Sequence, residues 1–449
     1  MTGAAFDAQA PALEPDLTRP LPRSLRALSF HDFRVFWVGA IGSSIGNNMQ
    51  LAALLWVVAV ATRSAAKVTL IAFITVVPLL LLGAVGGALA DRFPRRRLLL
   101  VTQTLLMVQA FALWGLWEAG YGSYWVLFTV SLAGGVLIAL NVPAWQSIVP
   151  ELVPRPFLQN AVTLNSVQFN VARAAGPMIA GLLIAWVGAG ICFLINALSF
   201  VLVLVALLLM TSADTAPEPP EGEDRPSVYG GFKESVRYLR NQPGLQVAIG
   251  THAAFALLAA PVVQLIPVLS VEVLDVGSEA YGLLLGSFGV GAVAIAFVIG
   301  SLDERVLPSR LLAGGLALTA FSVFGLGLAP GVAVGVLFML LFGASYVTVV
   351  AIDHSTIQAL SDDHIRGRIT SLWLMTFGTG FPLGTILMGV IADVVGVRAV
   401  LVAAGALVAL VLVGFASRRL LRYIDPDPAA TARGTPSRDE AARMQANRP

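Results

Sequence analysis

The sequence predicts an all-α membrane protein whose twelve transmembrane helices form two pseudo-symmetric bundles of six. Three observations predict it. The 449-residue chain is 57% hydrophobic and only 12% charged, with a mean hydropathy of +0.82. A soluble protein carries about 25% charged residues, so this chain lacks the polar surface to coat itself in water and its solvent is the lipid bilayer. Twelve apolar runs follow one another, each near the ~20 residues that cross a bilayer as helix. The third observation is that the two halves of the chain repeat.

Residues 1–30 are polar and Pro-rich, carry Arg19, Arg23 and Arg26, and have no early apolar run. They read as a disordered cytoplasmic lead and not as a secretory signal. The apolar spans fall at about 35–60, 69–90, 97–118, 124–146, 164–187, 190–211, 246–269, 279–300, 309–329, 331–353, 368–391 and 396–420. They group into an N-terminal bundle (31–211) and a C-terminal bundle (246–422), with a disordered cytoplasmic tail at 423–449. The linker between them, 212–245, begins acidic and Pro-rich (APEPPEGEDRP), a composition that cannot bury itself. It ends as GFKESVRYLRNQPG, which reads as an amphipathic helix with Phe232, Val236 and Leu239 on one side and Lys233, Arg237 and Arg240 beside them. Such a helix suits either the anionic cytoplasmic leaflet or a solvated linker.

Lys and Arg in the connections set the orientation. With both termini in the cytoplasm, the inner connections hold Arg92, Arg95, Arg96, Arg97, Arg155, Lys233, Arg237, Arg240, Arg305, Arg310, Arg366 and Arg368, and the outer ones only Arg63, Lys67 and Arg398. The reverse topology inverts that ratio, so the chain is expected in the cytoplasmic membrane with both ends inside.

The repeat is visible as a constant offset of 208 residues. It lays Gln146–Val162 over His354–Thr370, Gly181 over Gly389 and Gly188 over Gly396. A slightly different shift places Asp91 over Asp303. Parallel six-helix repeats joined by a cytoplasmic linker are an arrangement of alternating-access transporters.

Between the second and third spans stands GGALADRFPRRR, Gly86 to Arg97. Charges so dense belong where the chain leaves the bilayer and turns back. Gly87 and Asp91 are four apart and share a helix face. The glycine admits a second helix, and the carboxylate can accept from that helix's free N–H groups or from an arginine. The segment resembles the loop 2–3 signature of the major facilitator superfamily, Gly-x-x-x-Asp-Arg-x-Gly-Arg-Arg, with Gly87, Asp91, Arg92, Arg95 and Arg96 matching and Pro94 replacing the second glycine. The resemblance implies the major facilitator fold and a latch that shuts the cytoplasmic side by linking span two to the start of span eleven.

Span five contains ARAAGPMIAG, in which Arg173, Pro177 and Gly181 recur at helical spacing. It resembles the antiporter signature Gly-x-x-x-Gly-Pro-x-x-Gly-Gly of the same superfamily: Gly176, Pro177 and Gly181 match, and Ala172 and Ala180 replace two glycines. That resemblance implies export. Arg173 lies about two turns into the membrane, where a cation faces a cavity or a partner; an interhelix role and a substrate or coupling role both fit. Asn47, Asn48 and Gln50 of span one are either interhelical glue or uncharged substrate donors, the fold implying that span one lines the cavity. Trp145, His252 and Tyr346 are further cavity candidates, with plain packing as the competing role. Asp353 beside His354 is the candidate for proton uptake and release, or a mark of the membrane interface. Glu118, Glu272, Asp275 and Asp393 are expected to be solvated at outer helix ends.

Longer stretches, FRVFWVGAIGSSIGNNMQ, AVTLNSVQFNVARAAGP, NALSF and RGRITSLWLM, are similar to the bacterial branch of enterobactin exporters and macrolide efflux proteins. The branch implies proton-driven extrusion of bulky amphipathic molecules. The single cysteine, Cys192, sits in an apolar run, so neither a disulfide framework nor a thiolate metal site is expected. There is no phosphate loop, His-Glu-x-x-His, Cys-x-x-Cys or nucleophile elbow, so no enzyme activity, cofactor or metal is expected. The expected partners are the bilayer, a small-molecule substrate and protons, with no nucleic acid and a monomeric chain. An importer or uniporter of the same fold, or a non-transporting membrane sensor, are the competing functions.

Overall fold

The computed structural model describes residues 22–210, 228–301, 306–362 and 365–425, without the side chains of 23, 24, 170 and 228–233. Asp303, with the second latch expected there, and the side chains of Phe232 and Lys233 lie outside this description. Among the described residues, twelve helical spans are long and apolar enough to cross a membrane. The first six are α1 (His31–Thr62), α2 (Ala65–Arg92), α3 (Arg95–Glu118), α4 (Tyr124–Ile148), α5 (Leu158–Trp186) and α6 (Ala189–Leu209). After the linker helix α7 (Val228–Arg240) come α8 (Pro243–Leu258) and α9 (Val262–Val268), which together make the seventh span. The rest are α10 (Ser278–Ser301), α11 (Pro308–Leu328), α12 (Val332–Leu360), α13 (Arg366–Val395) and α14 (Val397–Ser417).

Local chemistry sets the ends. Ser64 caps α2, its Oγ accepting from the Lys67 backbone N–H at 3.2 Å. Pro243 and Pro308 occupy first turns, where the missing N–H costs nothing. Gly188 and Gly396, paired by the sequence offset, turn the chain between α5 and α6 and between α13 and α14 with φ of 108° and 87°, a region that glycine enters without steric cost. The seventh span is not the continuous helix expected over 246–269. Pro261 lacks an N–H, and the helix stops for Ala259–Pro261 before α9 resumes.

The halves pack alike. In the first, α2 meets α4, α1 meets α5 and α6, and α3 meets α4 and α6; in the second, α10 meets α12, α8 meets α13 and α14, and α11 meets α12 and α14. Across the seam, α5 lies on α10 and α13 on α2. The arginine-rich connections gather at one face of the molecule, called here the basic face.

The buried core is divided unevenly between the two faces. Near the basic face each half has its own cluster: Phe30, Phe33, Phe36, Leu99, Trp145 and Leu207 in the first, and Leu245, Ala248, Ile357, Ile369 and Trp373 in the second. A further cluster runs through both halves: its members from the first half, between Met49 and Ile74, at Leu113 and Leu127 and between Ala180 and Phe193, lie toward the opposite face, while in the second half it extends to Leu421 and Ile424 at the basic face. The halves are therefore joined by a common core at one end and stand apart at the other.

Two segments expected to be disordered carry structure at their inner edges. Arg23–Ser29 forms a 3₁₀ turn, with Ala27 and Phe30 fully buried and the Ala27 N–H donating to Asn160 Oδ1 at 2.7 Å. Asp425 caps α11, accepting from the Ser309 N–H at 2.9 Å and the Ser309 hydroxyl at 2.7 Å. In each case a buried contact 100 residues or more away in sequence holds a stretch whose own composition is polar. Helix α7 docks on protein: Tyr238 and Leu239 join the cluster around Ile365 and Trp373, Tyr238 accepts from the Asp362 N–H at 3.2 Å, and Glu234 pairs with Arg368.

Candidate functional site

Between the halves lies a chamber in two connected parts. The inner part, about 310 Å³, is walled by α1, α5, α9, α10, α12 and α13 and includes Asn48, Arg173, Pro177, Gln264, Tyr281 and Phe377. The second part, about 530 Å³, lies between α5, α10, α12 and α13 and reaches His354 and Trp373. Arg173, Phe288 and Tyr346 belong to both. The walls are largely apolar and aromatic, and among the described residues no Asp or Glu lines either part.

Of the residues the sequence put forward for a cavity, Asn48 and Tyr346 line the chamber. The others do not. Gln50 accepts from Asn196 Nδ2 at 2.8 Å, tying α1 to α6. Trp145 is buried in the first bundle against Phe36, ring centroids 4.7 Å apart. Asn47 is exposed but is no part of the chamber wall. In the antiporter-like segment, Arg173 and Pro177 face the chamber, while Gly176 lets α1 approach: a Cβ there would stand 2.6 Å from Asn48 Cβ.

His252 lies behind the chamber, in a buried cluster. Asp353 is fully buried, accepting from Thr251 Oγ1 at 2.9 Å with one carboxyl oxygen. Its other oxygen has no hydrogen-bond partner and lies 3.7 Å from His252 Nδ1, which also has none. Trp373 stacks on His252 at 4.4 Å and packs on His354 at 4.8 Å between ring centroids. So the order from the chamber inward is His354 and Trp373, then His252 and Asp353. Among the described residues a carboxyl oxygen and an imidazole nitrogen are thus left without hydrogen bonds side by side, which is uncommon for buried polar groups.

The end away from the basic face is closed. Tyr281 of α10 donates from its hydroxyl to the Ala52 carbonyl of α1 at 3.2 Å and stacks on Trp56. Gly181 of α5 and Gly282 of α10 touch backbone to backbone, leaving no room for a side chain on either. Gly389 of α13 lies as closely against Thr69 of α2. The two glycines singled out by the offset thus make equivalent contacts in the two seams. Asp393 is exposed at an outer helix end, as expected, and it also caps α2 from the other half: Oδ1 accepts from the Ala65 and Ala66 N–H groups at 2.6 and 3.2 Å, and Oδ2 from Ser64 Oγ at 2.7 Å. A helix N-terminus offers unsatisfied donors and positive potential, and this carboxylate takes both.

The segment expected to latch the basic face makes no bond to the second bundle among the described residues. Gly87 has no neighbour in reach, and Asp91 and Arg92 are exposed, with no hydrogen bond or ion pair among the described residues. Arg95 pairs with Glu151 and donates to the Ser147 carbonyl at 3.3 Å. Arg96 donates to the carbonyls of Leu207 and Leu208 at 2.6 and 3.1 Å, a cation at the C-terminus of α6. Both arginines therefore serve the first bundle internally and do not reach α13. The close glycine contact of α2 is made by Gly86, against Ala139 and Leu140 of α4.

The family described as transmembrane secretion effector matches residues 23–445. The chain belongs to that family, within the major facilitator superfamily. This transporter is 27% identical over 376 residues to the staphyloferrin A transporter of Staphylococcus aureus, covering 82% of this chain and 89% of that one. It is 28% identical over 308 residues to the enterobactin exporter EntS of Escherichia coli, covering 68% and 72%. Its fold matches a bacterial homologue of the human lysosomal transporter Spinster in an inward-facing, unoccupied conformation, with a TM-score of 0.69, 14% identity, and 88% and 98% of the two chains covered. A POT family transporter in complex with 5-aminolevulinic acid matches as well, with a TM-score of 0.69, 12% identity, and 91% and 99% covered. The transporter is thus a multi-pass membrane protein of known architecture.

Proposed function

We propose that this chain is a secondary exporter that moves siderophore-like amphipathic molecules out of the cell by alternating access, driven by proton entry. One observation carries the reading: the halves share a core only at the end away from the arginines, so the chamber opens to the basic face. The positive-inside rule makes that face cytoplasmic, and the structure is then the state that loads substrate from inside. The names of the staphyloferrin A and enterobactin relatives supply the substrate class. The Asp353–His252 pair supplies the proton site, reached through His354 and Trp373. The chamber is complete within one chain, so a monomer suffices.

In everted membrane vesicles energised by a proton gradient, the cytoplasmic face is outside. Vesicles bearing the transporter are expected to accumulate enterobactin or staphyloferrin A, and a protonophore to abolish the accumulation. Gradient-driven loss of preloaded siderophore from the same vesicles would make the chain an importer.

A further inference from the structure

We infer that Arg173 is an anion-binding residue, and that the chamber selects organic anions with a planar, apolar body. The inference deepens the exporter reading and rests on the chamber being the substrate site. A guanidinium stays charged at any physiological pH, and a charge at membrane depth is tolerated only beside a partner or a water-filled cavity. Arg173 belongs to both parts of the chamber, where these meet. Among the described residues it has no carboxylate partner. Beside it lies the hydroxyl of Tyr346.

Among the described residues, then, no acid compensates the charge, either as an ion pair or in the chamber wall. A neutral or cationic ligand would leave it so. A carboxylate would accept from its forked N–H donors, a bidentate, charge-assisted arrangement. The surroundings complete the description of the ligand: Phe377 and Phe381 stack at 5.4 Å with their planes 8° apart, and Tyr346 packs edge-on to Phe288 at 5.5 Å. These faces suit a flat apolar group attached to the acid. Arg173 comes from α5 of the first half and Tyr346 from α12 of the second, so an anion held between them touches both moving parts.

The test uses the full-length protein in lipid nanodiscs and two fluorescent probes that differ only in charge, dansyl-glycine and dansyl-glycinamide. Fluorescence titration is corrected with empty nanodiscs. Wild type is expected to bind the carboxylate about tenfold more tightly than the amide, the scale of one hydrogen bond to a charged group. Arg173→Lys keeps most of that ratio, and Arg173→Gln brings it to within about twofold of unity. The ratio is the readout because a general loosening of the chamber weakens both probes alike. Equal binding of the two probes by wild type overturns the inference, and so does a preference that persists in Arg173→Gln. If Arg173→Gln does not assemble, the wild-type ratio and Arg173→Lys still decide. Binding is read at equilibrium without a gradient, so a charge preference stands even if vesicles show no export, and export without a preference removes this inference alone.

Discussion

Asp353 has one carboxyl oxygen held by Thr251 and the other unpaired beside His252. An unpaired carboxylate oxygen in a buried setting is costly, and taking up a proton relieves that cost. In Asp353→Asn the site is polar and filled but cannot exchange a proton. Gradient-driven accumulation is expected to fall at least tenfold, the scale of about 1.4 kcal/mol, while substrate counterflow without a gradient continues. Measuring both in one preparation of proteoliposomes separates coupling from assembly: loss of counterflow as well would make Asp353 a packing residue. Gly389 shows the opposite kind of constraint, one of space. A side chain there must displace Thr69 or separate α13 from α2, and overpacking of this kind costs about 1–3 kcal/mol. Gly389→Val is expected to open the end away from the basic face. A cysteine at Ala72, buried and one turn along α2 from Thr69, should then react with a membrane-impermeant thiol reagent, with the buried Cys192 silent. An unreactive Ala72→Cys in the Gly389→Val background counts against the contact as a gate.

At the scale of helices, Asp393 joins the C-terminus of α13 to the N-terminus of α2. The carboxylate is exposed, so its hydrogen bonds are worth about 0.5–1.5 kcal/mol together. Asp393→Ala should therefore shift the balance toward the other state by a few fold. Spin labels at Val187 and Ala399, exposed on opposite halves of that face, would report a larger separation; an unchanged distance distribution would mean the cap is ornamental. The sequence could not announce this contact. Asp393 and Ala65 are 328 residues apart, and nothing in the local pattern of α13 points to α2. What was legible came from periodicity and repetition: the twelve spans, the chain reversals at Gly188 and Gly396, and the pairing of Gly181 with Gly389. Trp145 and His252 were misplaced because an apolar run tells that a residue is in the membrane but not which way its helix is turned. The break of the seventh span had a signal in Pro261 and Pro267, since a proline withholds a backbone N–H from the ladder.

For the molecule as a whole, α2 and α13 run antiparallel along the seam, each with a carboxylate near its C-terminus, Asp91 on α2 and Asp393 on α13. In this conformation Asp393 caps α2, while Asp91 is exposed and has no side-chain partner among the described residues. The latch expected at Asp91 would, in a state open to the other side, set Asp91 at the start of α13 and release Asp393. Each carboxylate then stabilises one state only, and a group stabilising one of two states sets their ratio by its free energy. Because Asp91 makes no contact here, Asp91→Asn leaves this state intact and removes stability from the other one. Transport is expected to be lost while the protein remains in the membrane. Asp393→Ala acts with the opposite sign. If both bear on one equilibrium, their effects add with opposite signs, as they do for distant sites without shared partners. The double variant should then return the Val187–Ala399 distances toward wild type and recover part of the flux lost in Asp91→Asn. A double variant as inactive as Asp91→Asn, with the distances of Asp393→Ala alone, would mean that the two ends of the seam move independently, and the rigid rocking of two halves would have to be given up.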